Sequence, residues 1–163
     1  MLLPLFDQLL LLLTLFFTVM VSNASIILPV PFDLGFPLIV TQLPDIHPVL
    51  IGIVIGIGAA IGELTAYVVG FLGIKAVEKF KNKDFFKLDA ISVKLKATGM
   101  VFIFFGALTP FPFDLIGLAA GLTRFDLKKF FLATLAGKIV RYVLIAVAAV
   151  AGYALLQGFF GLP

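Results

Sequence analysis

Pro29-Val30-Pro31-Phe32-Asp33-Leu34 returns later in the chain as Pro110-Phe111-Pro112-Phe113-Asp114-Leu115, with five of six positions identical. Each copy lies within a long apolar run. Paired prolines remove backbone donors and break a helix ladder. A carboxylate in hydrocarbon is costly and marks a functional position. Broken backbone at membrane depth survives only where protein or a water cavity covers it. Two such breaks in matching positions of two halves point to a transport site in a repeat protein. The prolines Pro29, Pro31, Pro110 and Pro112 are therefore read as hairpin breaks, with Asp33 and Asp114 near the tips.

Composition sets the solvent. Of 163 residues 62% are hydrophobic and 13% charged, and the mean hydropathy is +1.21. These values exclude an ordinary soluble domain and suit one compact membrane domain. The absence of cysteine excludes disulfides and thiolate metal sites. The single histidine, His47 before Pro48, reads as a loop residue. No metal or cofactor is expected. Neither Gly-x-Ser-x-Gly nor His-Glu-x-x-His occurs, which argues against a hydrolase, so no enzyme is expected.

All twelve Lys and Arg lie between Lys75 and Arg141. Seven lysines and three acids interleave with apolar residues in Lys75–Lys96, which reads as a basic amphipathic helix, 75–97, on the inner leaflet. Tethered at both ends to apolar runs, it is not expected to bind nucleic acid.

Working outward gives an all-α membrane protein. Residues 1–21 form a first transmembrane helix or, with Ser22-Asn23-Ala24 as a cleavage site, a signal peptide. The membrane domain proper is 22–163. It comprises a re-entrant hairpin over 25–44, a spanning helix over 49–73, the amphipathic helix, a second hairpin over 100–122 and a last helix over 126–157. Gly35 and Pro37 add to the breaks of the first hairpin. On the first spanning helix Gly52, Gly56, Ala60, Glu63, Tyr67 and Gly70 share one small and polar face, so Glu63 points into the bundle. Thr123 to Asp126 supply helix N-caps. The positive-inside rule then places hairpin one outside and hairpin two inside, an inverted repeat of hairpin plus helix. Aligned on the motif, Glu63 falls within a few residues of Arg141 in the other half. Asp33, Glu63 and Asp114 are expected to meet Arg141 in one cavity. Three acids and one base cannot all be ionised there, so one acid should carry an exchangeable proton.

This constellation resembles the DedA family, the bacterial and archaeal members of the VTT (SNARE-associated Golgi protein) superfamily. The likeness covers roughly Ser25 to Leu156. It rests on the proline-rich hairpin ending in Asp33 and on Gly62-Glu63-Leu64-Thr65-Ala66-Tyr67 followed by Gly70. It rests also on Gly121-Leu122-Thr123-Arg124-Phe125-Asp126-Leu127-Lys128-Lys129-Phe130 and on Gly137-Lys138-Ile139-Val140-Arg141-Tyr142. The arginines that many bacterial members carry around the second hairpin are absent: Ala107, Thr109 and Leu115 stand there, and Arg124 and Arg141 are the only arginines. The resemblance implies a multi-pass protein of the cell membrane that flips or scrambles a polyprenyl-phosphate or phospholipid, with protons as the coupling ion. Its partners would be membrane lipids and protons, with homo-oligomerisation left open. Arg141 or Arg124 would meet the lipid phosphate, and Gly56, Tyr67, Gly70 and Gly121 would pack the helices. A cation-coupled small-solute carrier on the same fold and a non-transporting scaffold are the alternatives.

The topology is testable in this cysteine-free chain. Cysteines introduced at Asp45 and at Lys83 should react with an impermeant thiol reagent from opposite faces of the membrane; reaction of both from one face would contradict the inverted arrangement.

Overall fold

The computed structural model describes residues 4–25, 32–77, 93, 95 and 97–160. Pro29, Pro31, most of the 75–97 segment and the side chain of Asp33 lie outside the described residues. Seven α-helices are described: α1 (Leu5–Ala24), α2 (Phe32–Thr41), α3 (Pro48–Gly62), α4 (Leu64–Val77), α5 (Met100–Leu108), α6 (Phe113–Leu122) and α7 (Leu127–Phe160). No strand occurs among the described residues. Three stretches are long and apolar enough to cross a membrane: Leu5–Ala24, Pro48–Gly73 and Leu127–Phe160. At 1.5 Å per residue the last is about 51 Å long, against roughly 30 Å of bilayer hydrocarbon.

Local chemistry sets the boundaries. His47 caps α3: its Nδ1 accepts from Val49 N at 3.3 Å, and Pro48 takes the first turn, where an N–H would be unsatisfied anyway. Asp126 caps α7, its Oδ1 accepting from Lys129 N at 2.8 Å. Pro110 and Pro112 separate α5 from α6, as the motif predicts. In the first copy, Gly35 and Pro37 do not interrupt α2, contrary to their reading as further breaks. Inside a helix, Pro37 forfeits only the one bond its missing N–H would give to the fourth residue before it. The expected 49–73 helix is divided at Glu63, whose ψ of −17° is tighter than α-helical, and the chain runs on to Val77.

The packing is close at glycine. A Cβ at Gly52 would lie 2.6 Å from Val143 Cα, and one at Gly56 2.6 Å from Ile139 Cα, so α3 and α7 touch backbone to backbone. The order of contact, 52 with 143 and 56 with 139, makes them antiparallel. On another face of α3, a Cβ at Gly58 would lie 2.7 Å from Phe16 O, and Gly62 meets Met20 and Asn23, so α1 runs parallel to α3. In the second half, Gly137 meets Phe104, Ala107 and Leu108, and further along both helices Arg141 meets Thr109, so α5 runs parallel to α7. The structure thus contains two parallel pairs, α1 with α3 and α5 with α7, set against each other. A helix follows each motif: α2 after the first copy and α6 after the second.

Two apolar clusters fill the interior. One gathers Tyr67, Ile103, Phe113, Ile116 and Phe130. The other gathers Val19, Phe36, Ile51, Ile55 and Tyr142. On α7 the first cluster ends at Ala133 and the second begins at Tyr142; on α3 and α4 the second ends at Ala59 and the first begins at Tyr67. Glu63 and Lys138 occupy the gap between them on both sides.

Gly56→Leu should therefore cost more than Ile57→Leu, because Ile57 is only half-buried whereas Gly56 is against the Ile139 backbone. Overpacking of a filled interface costs about 1–3 kcal/mol or more. Thermal unfolding in detergent should show a lower midpoint for Gly56→Leu alone; equal midpoints would mean that this face does not pack against α7.

Candidate functional site

The buried stripe of α7 runs Phe130, Thr134, Lys138, Tyr142 and Ala146, a spacing of about one turn each. Lys138 is 3% exposed on this stripe, and Glu63 is 3% exposed opposite it. The Lys138 ammonium donates to Glu63 Oε1 at 2.5 Å and to Asn23 Oδ1 at 3.1 Å. It also lies 5.3 Å from the centre of the Phe113 ring. One cation is thereby touched by α1, the α3–α4 junction and α6, and carried by α7. A desolvated cation is tolerable only with such partners.

Each partner is positioned by its own element. Asn23 is held by its amide, which donates to Val19 O at 3.0 Å. The Thr65 hydroxyl donates to Ala24 O at 3.0 Å and ties the end of α1 to the turn that presents Glu63. Phe113 is the first residue of α6 and stands directly after Pro112, so the proline motif delivers the ring to the ammonium. Asp114 follows it, within electrostatic reach of both Glu63 and Lys138. Arg141 is also within reach of Glu63, and its Nη1 donates to Thr109 O at 3.0 Å. Thr109 is the C-cap of α5, where the broken helix leaves a carbonyl without a helical partner. Both sides of the motif are thus tied to α7, one through Arg141 and the other through Lys138.

Glu63, Asp114 and Arg141 are therefore brought into one neighbourhood. The base in contact with Glu63 is not Arg141 but Lys138, which the sequence reading had not singled out as a site residue. The described cluster holds two acids and two bases, so charge balance within it no longer demands a protonated acid. Asp33, Pro29 and Pro31 cannot be placed in it, because their side chains lie outside the described residues. Two buried polar atoms have no hydrogen-bond partner among the described residues: Glu63 Oε2 and Thr134 Oγ1. Such atoms are rare and costly in interiors and take up water, a proton or a ligand group.

The remaining candidates have structural surroundings. The Tyr67 hydroxyl donates to Phe125 O at 2.5 Å and its ring packs on Phe130 at 5.1 Å. Gly70 lies against Leu118, and Gly121 against the backbone of Tyr67 and Phe71. Arg124 sits in the α6–α7 turn with φ of 53°, its guanidinium 5.8 Å from the centre of the Phe71 ring, away from the charged cluster. No group of three or more His, Cys, Asp or Glu suited to a metal occurs among the described residues. Lys138, Asn23 and Thr134 were missed. The signal for Lys138 was its place on the apolar period of α7; Asn23 had been read only within the Ser22-Asn23-Ala24 cleavage site.

Breaking a buried ion pair from one side leaves an uncompensated charge and costs roughly 3–5 kcal/mol, whereas replacing both partners is much milder. Lys138→Met should lower the unfolding midpoint in detergent strongly, and Glu63→Gln combined with Lys138→Met should recover most of the loss. If the double variant is as unstable as the sum of its singles, the two side chains do not interact.

The sequence profile of the VTT domain matches residues 30–151. No curated protein and no solved structure matches the chain.

Proposed function

The chain belongs to the VTT domain family, the domain of the DedA family, and from that premise we propose that it moves a phosphate-bearing lipid, of the polyprenyl-phosphate or phospholipid type, between the leaflets of the plasma membrane. The observation that carries the reading is the pair of bases on α7. Lys138 and Arg141 are three residues apart, near the middle of the longest apolar helix, with Glu63 and Asp114 beside them. Ionisable groups inside a membrane bundle mark a transport path, and a guanidinium offers a phosphate two parallel donors.

The fold supports the mechanics. The antiparallel setting of the α1–α3 and α5–α7 pairs suits an inverted repeat, and the α5–α6 break suits a hairpin that enters the bilayer and turns back. In this reading the two motifs approach mid-bilayer from opposite sides and leave a thin barrier. A lipid phosphate arriving there competes with Glu63 for Lys138. The displaced carboxylate takes a proton, and that proton leaves when the phosphate moves on and the ion pair reforms. Transport is then coupled to protons through Glu63, with Asp33 and Asp114 at the hairpin tips as relay groups. The protein acts as a transporter, with no bond made or broken in the lipid.

Reconstitution into liposomes with headgroup-labelled polyprenyl phosphate or phospholipid tests the proposal. The wild-type chain should speed leaflet crossing, and a pH gradient should change the rate. Asp33→Asn and Asp114→Asn should fall to the rate of empty liposomes, and Arg141→Lys should be slower than wild type because lysine lacks the fork. Lys94→Ala should keep its rate apart from a surface attraction of about 1 kcal/mol. Crossing no faster than in empty liposomes for either lipid would overturn the proposal.

A further inference from the structure

We infer that one buried water bridges Glu63 Oε2 and Thr134 Oγ1, and that Thr134 is the residue that positions it. Both side chains lie in the interior, Glu63 being 3% and Thr134 0% exposed. Neither oxygen has a hydrogen-bond partner among the described residues. The other carboxylate oxygen of Glu63, Oε1, is taken by the Lys138 ammonium. The packing brings the two oxygens to one place. On α7, Thr134 stands one turn after Phe130 and one turn before Lys138. Phe130 packs on Tyr67, with ring centres 5.1 Å apart, and Lys138 reaches Glu63, one turn before Tyr67. Thr134 therefore faces the chain between Glu63 and Tyr67. Phe113 closes the same space: its ring centre lies 6.0 Å from that of Phe130 and 5.3 Å from Lys138 Nζ, so the ring spans the turn that carries Thr134. A short side chain between two long ones leaves room there for a small molecule.

The chemistry of the two oxygens selects water. A carboxylate oxygen only accepts, whereas a threonine hydroxyl both donates and accepts. Water donates to the first and shares a bond with the second, and a buried water needs about two to four such partners. A proton on Oε2 would neutralise Glu63 and leave the Lys138 cation uncompensated. A metal cation would sit beside that ammonium with two side-chain oxygens, too few for a hard ion. An anion would face a carboxylate. The nearby polar groups are engaged elsewhere: the Tyr67 hydroxyl donates to Phe125 O, and Asn23 Oδ1 accepts from Lys138. A water at Oε2 lets the ion pair open. When the ammonium leaves Oε1, Glu63 keeps a hydrogen-bond donor and is not stranded among apolar side chains. That use of the water rests on the transport reading; the water itself does not.

Solid-state NMR on the full chain in lipid bilayers reads the water directly, by magnetisation transfer from water protons to ¹³C-labelled glutamate and threonine. In a Glu78→Gln background Glu63 is the only glutamate in the chain. Early transfer to Glu63 Cδ and to Thr134 Cβ is expected, with the same build-up at both. Thr134→Val keeps the shape of the side chain and removes the hydroxyl, and should lose the transfer to Glu63 Cδ. Thr134→Ser keeps the hydroxyl and should retain it. The coupling between Lys138 Nζ and Glu63 Cδ should persist in both variants, which separates loss of the water from loss of the fold. If Thr134→Val does not fold, the wild-type and Thr134→Ser spectra decide alone. No early transfer to Glu63 Cδ in the Glu78→Gln chain, its loss in Thr134→Ser, equal transfer in Thr134→Val, or a direct Glu63–Thr134 contact that excludes water would each overturn the inference. Early water transfer without lipid crossing in liposomes would leave this inference standing and remove the transport proposal instead.

Discussion

An ammonium and a carboxylate buried in a helix bundle set the terms for everything around them. Removing each ion from water costs several kcal/mol, and their mutual attraction offsets this only when geometry and further hydrogen bonds are good. Lys138 meets that condition through Glu63, Asn23 and the face of Phe113. Those partners come from α3–α4, α1 and α6, so none of these elements can shift without exposing the charge to apolar surroundings. The pair also divides the interior into two apolar clusters. Glycine contacts bring the helices close enough for this to happen: at Gly56 the α7 backbone lies in direct contact, about two turns of helix from Glu63.

The proline motif acts through that pair. Its second copy ends α5 at Thr109, where Arg141 takes the free carbonyl, and restarts the chain at Phe113, whose ring covers Lys138. A broken helix thereby presents an aromatic face, a carboxylate and a carbonyl to one face of α7. The helix after the first copy, α2, uses its residues differently: Phe32 stacks on Phe36, which meets the Tyr142 ring edge-on at 5.3 Å. The matching phenylalanine covers Lys138 in one half and stacks on an apolar ring in the other. Among the described residues, the charged contacts gather around the second copy.

Much of this was legible in the residues. The repeat located the α5–α6 break, because proline geometry is local and does not wait on tertiary context. The small face of the first spanning helix located Gly56, Glu63, Tyr67 and Gly70, because a 3.6-residue period survives in sequence. Pro37 was misread for the converse reason: one lost hydrogen bond is affordable when packing holds the rest of α2. Lys138 was hidden by a rule that counts charges at loop ends and assigns basic residues to the cytoplasm. Its burial depends on Glu63, 75 residues away, and on Asn23, 115 residues away. No local pattern carries such a pairing. The second glycine face, Gly58 and Gly62 toward α1, was hidden likewise, since it has meaning only once α1 is known to lie beside α3.

The central claim is that Lys138 and Glu63 form a direct ion pair inside the bilayer. Solid-state NMR on the full chain in lipid, with ¹⁵N-labelled lysine and ¹³C-labelled glutamate, measures the dipolar coupling between Lys138 Nζ and Glu63 Cδ. A coupling that reports direct contact, consistent with the 2.5 Å Nζ to Oε1 distance, is predicted, together with its loss in Glu63→Gln combined with Lys138→Met. No coupling in the wild-type chain, with the Lys138 ammonium exchanging freely with water, would contradict the account.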